Sequence, residues 1–239
     1  MEWLPGRWVE RLQSWKESQV AEWVHQPVFN EDRSWRGGEA LMDYGVPGGA
    51  GGRGVVYNNW LRGEGDSPTA ISESLRRWLV GGGVSRVVTG HWPHGDSPLI
   101  IKSGGGDGDG DGEVLIVTAD TSYSERATAD MRGGAAAAVW LEGSPDSLDR
   151  TCLSGQRTLS SGGLSYSFCA EEDECVGRPY TRTDEDGTGR EWWVRLPVGA
   201  SSYVLSTPDH ASPYPGQVAY SEEGREEVRR HFDKSGRTK

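Results

Sequence analysis

Apolar residues return every three to four positions along residues 7–24, where Trp8, Leu12, Trp15, Val20, Trp23 and Val24 share one stripe. Glu, Lys, Arg and Gln fill the other face, so the spacing predicts an amphipathic helix. Residues 25–54 lose this period and end in PGGAGGRG, a loop by composition. Val55, Val56 and Tyr57 form a short apolar run, read as a strand. A second helix is expected to start with Ser67 as its cap and Pro68 at its first position. Its buried stripe would be Ile71, Leu75, Trp78 and Leu79, and Gly81, Gly82 and Gly83 would stop it.

Past residue 83 the apolar runs shorten. Residues 84–89, 99–102 and 114–118 read as strands, the first of them buried, and the last two flank SGGGDGDGDGE, a low-complexity hairpin loop. Residues 135–141 are a further run expected to be buried. Beyond Ser144 and Pro145 the character changes: alternation over 157–168, 190–197, 202–206 and 216–220 predicts a small antiparallel sheet. Trp192 and Trp193 alternate in direction, which predicts one indole in the core and one at a surface or interface. A short helix is expected over 222–232, before a fraying tail. The pattern thus divides the chain into 1–145, of α/β class, and a β-rich appendage over 146–239.

Composition adjusts this picture in three ways. A length of 239 residues allows one large domain or a core with an appendage. The 35 Gly foretell long loops, while 11 Trp, each able to bury about 150–250 Å², supply material for a core. With 25 Lys+Arg against 36 Asp+Glu and no basic patch, the chain is not expected to bind nucleic acid or an anionic membrane surface. The longest apolar run falls far short of the roughly 18 residues that a membrane span needs. No basic segment precedes an apolar stretch at the start, so no signal peptide is read and an intracellular location is expected. Cys152, Cys169 and Cys175 are an odd count without a C-x-x-C pair, read as free thiols of a reducing compartment.

The segment richest in chemistry is VSRVVTGHWPHGDSPLII, residues 84–101. A strand ends at Thr89, Gly90 turns the chain, and His91 falls just past the strand's carboxyl end, where open α/β sheets hold ligands. His94 follows, then Gly95 and Asp96. From the residues alone, a metal or phosphate site and a pair of exposed loop histidines both remain open. The other candidates are weaker. Asp107, Asp109 and Asp111 begin like a calcium loop, but its twelfth position is Thr118, inside an apolar strand, where a bidentate Glu is required. No Gly-x-Ser-x-Gly elbow surrounds Ser122 or Ser165. Glu171, Glu172, Asp173 and Glu174 read as a solvated acidic loop.

Gly90-His91-Trp92-Pro93, followed by Asp120-Thr121-Ser122-Tyr123-Ser124, resembles the last metal-site motif of the calcineurin-like metallophosphoesterases. The upstream WLPGRWVERLQSWKESQVAEWV and ALMDYGVP resemble the segment that precedes this motif in one eukaryotic branch, so the resemblance spans roughly residues 3–141. It implies part of a layered α-β-β-α sandwich and hydrolysis of phosphoester bonds by two divalent metals (Mn, Fe or Zn) sharing a bridging hydroxide. His91 would be a metal ligand, His94 would reach a phosphate oxygen, and Asp120 would line the pocket, with Tyr123 more readily a packing residue. The family's Asp-x-His, Gly-Asp-x-x-Asp-Arg-Gly and Gly-Asn-His motifs do not occur in the chain. The resemblance is therefore to the C-terminal half, which alone is expected to bind metal weakly or not at all and to be inactive. The rival expectation is a non-catalytic pseudo-phosphatase module in which a protein partner covers an exposed sheet face.

Overall fold

The computed structural model describes residues 4–52, 54–56, 61, 68–90, 94–104, 112–121, 135–144, 147–159, 162–183, 187–209 and 218–235. His91, Tyr57, Ser67, Ser122, Tyr123 and the Gly-Asp repeat at 105–111, singled out above, lie outside them. The chain is mixed α/β and forms two compact units, Met1–Trp60 and Leu61–Lys239. The expected boundary at 145 therefore falls inside the second unit, where residues from both sides of it share one core.

In the first unit, helix α1 (Pro5–His25) forms as predicted, though Val20, Trp23 and Val24 of its stripe are exposed. It starts with proline in its first turn, where a missing N–H costs nothing. Helix α2 (Glu39–Tyr44) follows a loop that folds back onto α1: Gly37 donates to the Gln26 carbonyl at 2.9 Å. A methyl group on Gly37 would lie 2.0 Å from the Glu22 carbonyl oxygen, so only glycine allows this approach. Trp15 packs edge-on against Tyr44, with ring centroids 5.4 Å apart. Val55 and Val56 lie in a bend and turn, not in the strand their apolarity predicts.

The second unit opens with helix α3 (Glu73–Gly81), capped by Ser72, whose hydroxyl accepts from the Leu75 N–H. The helix starts later than expected because Ser72, next to Glu73, supplies that capping acceptor; Pro68 lies in an isolated bridge. Three sheets follow. The first orders its strands β1 (Arg86–Thr89), β3 (Val114–Thr118), β2 (Leu99–Ser103), with β1 parallel and β2 antiparallel to β3. The second is the antiparallel meander β4 (Ala136–Ser144), β5 (Ser147–Leu159), β6 (Gly162–Cys169). The third contains β7 (Pro179–Thr183), β8 (Gly189–Val198), β9 (Ser202–Pro208) and β10 (Val218–Gly224), in antiparallel sequence order. Helix α4 (Arg225–Ser235) closes the described chain. Among the described residues no helix is long and apolar enough to cross a membrane.

Two cores follow from the period of two in β2 and β3. Leu99, Ile101, Val114 and Ile116 join Leu79, Ile71 and Trp193, with Leu75 and Trp78 of α3 packed against them. Ile100, Leu115 and Val117 point the other way, into Leu153, Tyr166, Trp192, Val194, Leu205 and Val228. Both indoles of the Trp192–Trp193 pair are buried, one in each core, rather than one at a surface. Gly177 links the sheets: it accepts from Lys102 N–H at 2.8 Å and donates to the Val194 carbonyl at 2.9 Å.

Five further expectations change. β1 forms, but only half-buried, with Val88 48% exposed, because it lies at the edge of its sheet. β4 is exposed along nearly its whole length for the same reason. The segment 157–168 is not one strand but the turn end of the β5–β6 hairpin, and that hairpin sets Cys152 directly opposite Cys169. These two are disulfide-bonded, which corrects the reading of free thiols; Cys175 is free and buried. The acidic block is structural as well: Glu171 pairs with Arg86, Glu172 with Arg150, and Asp173 accepts from the Tyr203 hydroxyl at 2.9 Å.

Candidate functional site

Parallel pairing sets Thr89 beside Thr118, and the Ala119 N–H donates to the Thr89 carbonyl at 2.8 Å. The carboxyl ends of β1 and β3 therefore emerge together. Gly90 and Asp120 meet there: a methyl group on Gly90 would lie 3.7 Å from the Asp120 Oδ2. Because β2 runs antiparallel to β3, it enters the sheet from this same edge, with Leu99 opposite Thr118. The segment from His94 to Pro98 thus leads into β2 at the edge that Gly90 and Asp120 occupy. The side chain of Asp120 is half-buried there, whereas His94 is only 2% exposed. His91 lies outside the described residues, next to Gly90 in the chain.

The 94–97 segment is held from three strands of the two antiparallel sheets. Arg157 of β5 pairs with Asp96, Nε to Oδ2 at 3.2 Å, with both side chains buried. Arg195 of β8, also buried, donates from Nε to the Ser97 hydroxyl at 2.9 Å, from Nη2 to the Ser97 carbonyl, and from Nη1 to the Ser206 hydroxyl at 3.2 Å. The hydroxyl of Tyr220 in β10 accepts from the Asp96 N–H at 2.9 Å. The Arg157 guanidinium lies 3.7 Å above the centre of the Tyr220 ring. Burial raises the Tyr220 phenol to about 12 despite the nearby Arg195 charge, and burial likewise raises Tyr166 to about 12.

Three buried polar atoms here have no hydrogen-bond partner: Asp96 Oδ1, Arg157 Nη1 and the Tyr166 hydroxyl. The sequence signals that single out His91, His94 and Asp120 say nothing of Arg157, Arg195 or Tyr220. Those partners stand 61, 98 and 124 positions from the groups they bind, and no motif connects them.

Among the described residues no three His, Cys, Asp or Glu side chains gather as a metal-binding group. Of the described residues at this edge, Asp96 pairs with Arg157, and Asp120 and His94 are the other candidate donors. Among the described residues these donors fall short of the ligands that a pair of divalent cations needs. Compared with known proteins, the chain matches no family model, no curated protein and no solved structure.

Proposed function

We propose that this chain acts as the C-terminal half of a calcineurin-like metallophosphoesterase domain. It would contribute His91 as one metal ligand to a two-metal site whose remaining ligands come from upstream sequence. Within such a site the bound metals would supply Lewis-acid chemistry toward the phosphoryl group. His94 would meet a phosphate oxygen and Asp120 would line the pocket. The observation that carries this reading is the meeting of Gly90 and Asp120 at the carboxyl ends of parallel strands, the position where open α/β sheets bind ligands. The half-exposed β1 and the largely exposed β4 fit the same reading, as surfaces that the other half of an α-β-β-α sandwich would cover.

Calorimetry with Mn²⁺ and Zn²⁺, on the chain and on His91→Ala, tests it. The expected result is one weak equivalent, lost in the variant, with negligible hydrolysis of p-nitrophenyl phosphate by the chain alone. Binding that is indifferent to His91 overturns the assignment. A second reading, a non-catalytic module that binds a protein partner, rests on β4, whose apolar residues Trp140 and Leu141 are exposed at a sheet edge. It predicts association without any metal response at His91.

A further inference from the structure

The region beyond residue 145 reads in the sequence as an appendage, yet its strands reach into the candidate site. Asp96 and Ser97 are gripped by Arg157 of β5, Arg195 of β8 and Tyr220 of β10. Gly95, between His94 and this grip, adopts a φ of +96°. A methyl group there would stand 2.1 Å from the Tyr220 hydroxyl and 2.6 Å from a Val218 methyl carbon. The backbone of the segment is therefore pressed against β10 as closely as glycine permits. Arg195 meets both the hydroxyl and the carbonyl of one residue, a geometry that the planar guanidinium fork fixes in direction as well as distance.

We propose that Arg157, Arg195 and Tyr220 are positioning residues, which clamp the 94–97 segment and so hold His94 at the edge shared by Gly90 and Asp120. The role of His94 rests on the phosphoesterase reading; the clamp itself does not. The β-rich region would then be an integral wall of the site. Loss of the clamp is expected to loosen the 94–97 segment before the two cores, which the apolar faces of β2, β3, β8 and β9 hold.

The test compares the full chain with Arg157→Met, with the pair Arg157→Met/Asp96→Asn, and with Arg195→Lys. Thermal unfolding, hydrogen exchange of the Gly95, Asp96 and Ser97 amides, and Mn²⁺-induced broadening of the Asp120 amide are read for each. Arg157→Met alone strands a buried carboxylate and lowers the unfolding temperature, while the double variant removes both charges and recovers most of that loss. Arg195→Lys keeps the charge and loses the fork.

The double variant and Arg195→Lys, both folded, are expected to exchange those three amides roughly tenfold faster than wild type, with β2 and β3 unchanged. Their Mn²⁺ response at Asp120 should also be weaker. Wild-type exchange over 95–97 in both variants overturns the clamp. Faster exchange beside an undiminished Mn²⁺ response overturns its positioning role. Faster exchange with no Mn²⁺ response in any form, wild type included, supports the clamp and removes the metal reading instead.

Discussion

β3 and β4 are both apolar runs of the same unit, yet all five residues of β3 are buried and β4 is exposed along almost its whole length. Placement makes the difference. β3 is the central strand of its sheet, flanked by β1 and β2, with one core on each face. Among the described residues β4 is an edge strand paired with β5 alone. Apolarity thus states what a strand tolerates, while its neighbours decide what it buries. The half-buried β1, another edge strand, falls between the two cases.

The largest effect should come from the layer that buries β3. Trp193 is 2% exposed and packs with Leu99, Ile116 and Leu79. Trp193→Ala is expected to destabilise by about 3–5 kcal/mol in urea unfolding. A loss below about 1 kcal/mol would mean that this core is not the one that holds the unit together.

The disulfide should have the next largest effect, confined to the sheet of β4. Cys152 and Cys169 close a hairpin with a sequence separation of 17. Cys152→Ala is expected to cost about 3 kcal/mol by loop-closure entropy. Hydrogen exchange should accelerate in β4, β5 and β6 before it does in β2 and β3. Uniform acceleration would show that the two sheets open as one.

Alkaline titration reaches both regions more gently. Tyr166 and Tyr220 hold their protons more tightly when folded, to about 12 against an ordinary 10.0. The stability they contribute is therefore intact below pH 10 and falls as the pH rises toward 12. A loss of about 2 kcal/mol for each of the two tyrosines is expected across that window, and Tyr220→Phe should remove about half of the total. The smallest effect belongs to β4 itself. Trp140→Ser should change stability by less than about 0.5 kcal/mol, yet reduce self-association in light scattering.

The contrast also explains what the sequence makes legible. Helix α1, the antiparallel pairing of β2 with β3, and the strands β8, β9 and β10 are written in local periodicity and turn residues, and all of them form. The burial of β1 and β4 is not, since it depends on which strands stand beside them. The Cys152–Cys169 bond escapes a search for C-x-x-C because cross-strand register, rather than short spacing, brings the two thiols together. At the candidate site, Gly90 and Asp120 meet as strand order implies, whereas the Arg157, Arg195 and Tyr220 grip on residues 94–97 arises from the packing of three sheets.

The central claim is that the shared ends of β1 and β3 form the ligand edge of a phosphoesterase half-site. Its most direct test is a map of paramagnetic broadening by Mn²⁺ over the amides of the full chain, with His91→Ala as the control. The account predicts broadening that begins around Gly90, His94 and Asp120 and disappears in the variant. Broadening that starts instead at the surface acids Glu171 and Glu172, or that persists without His91, would contradict it.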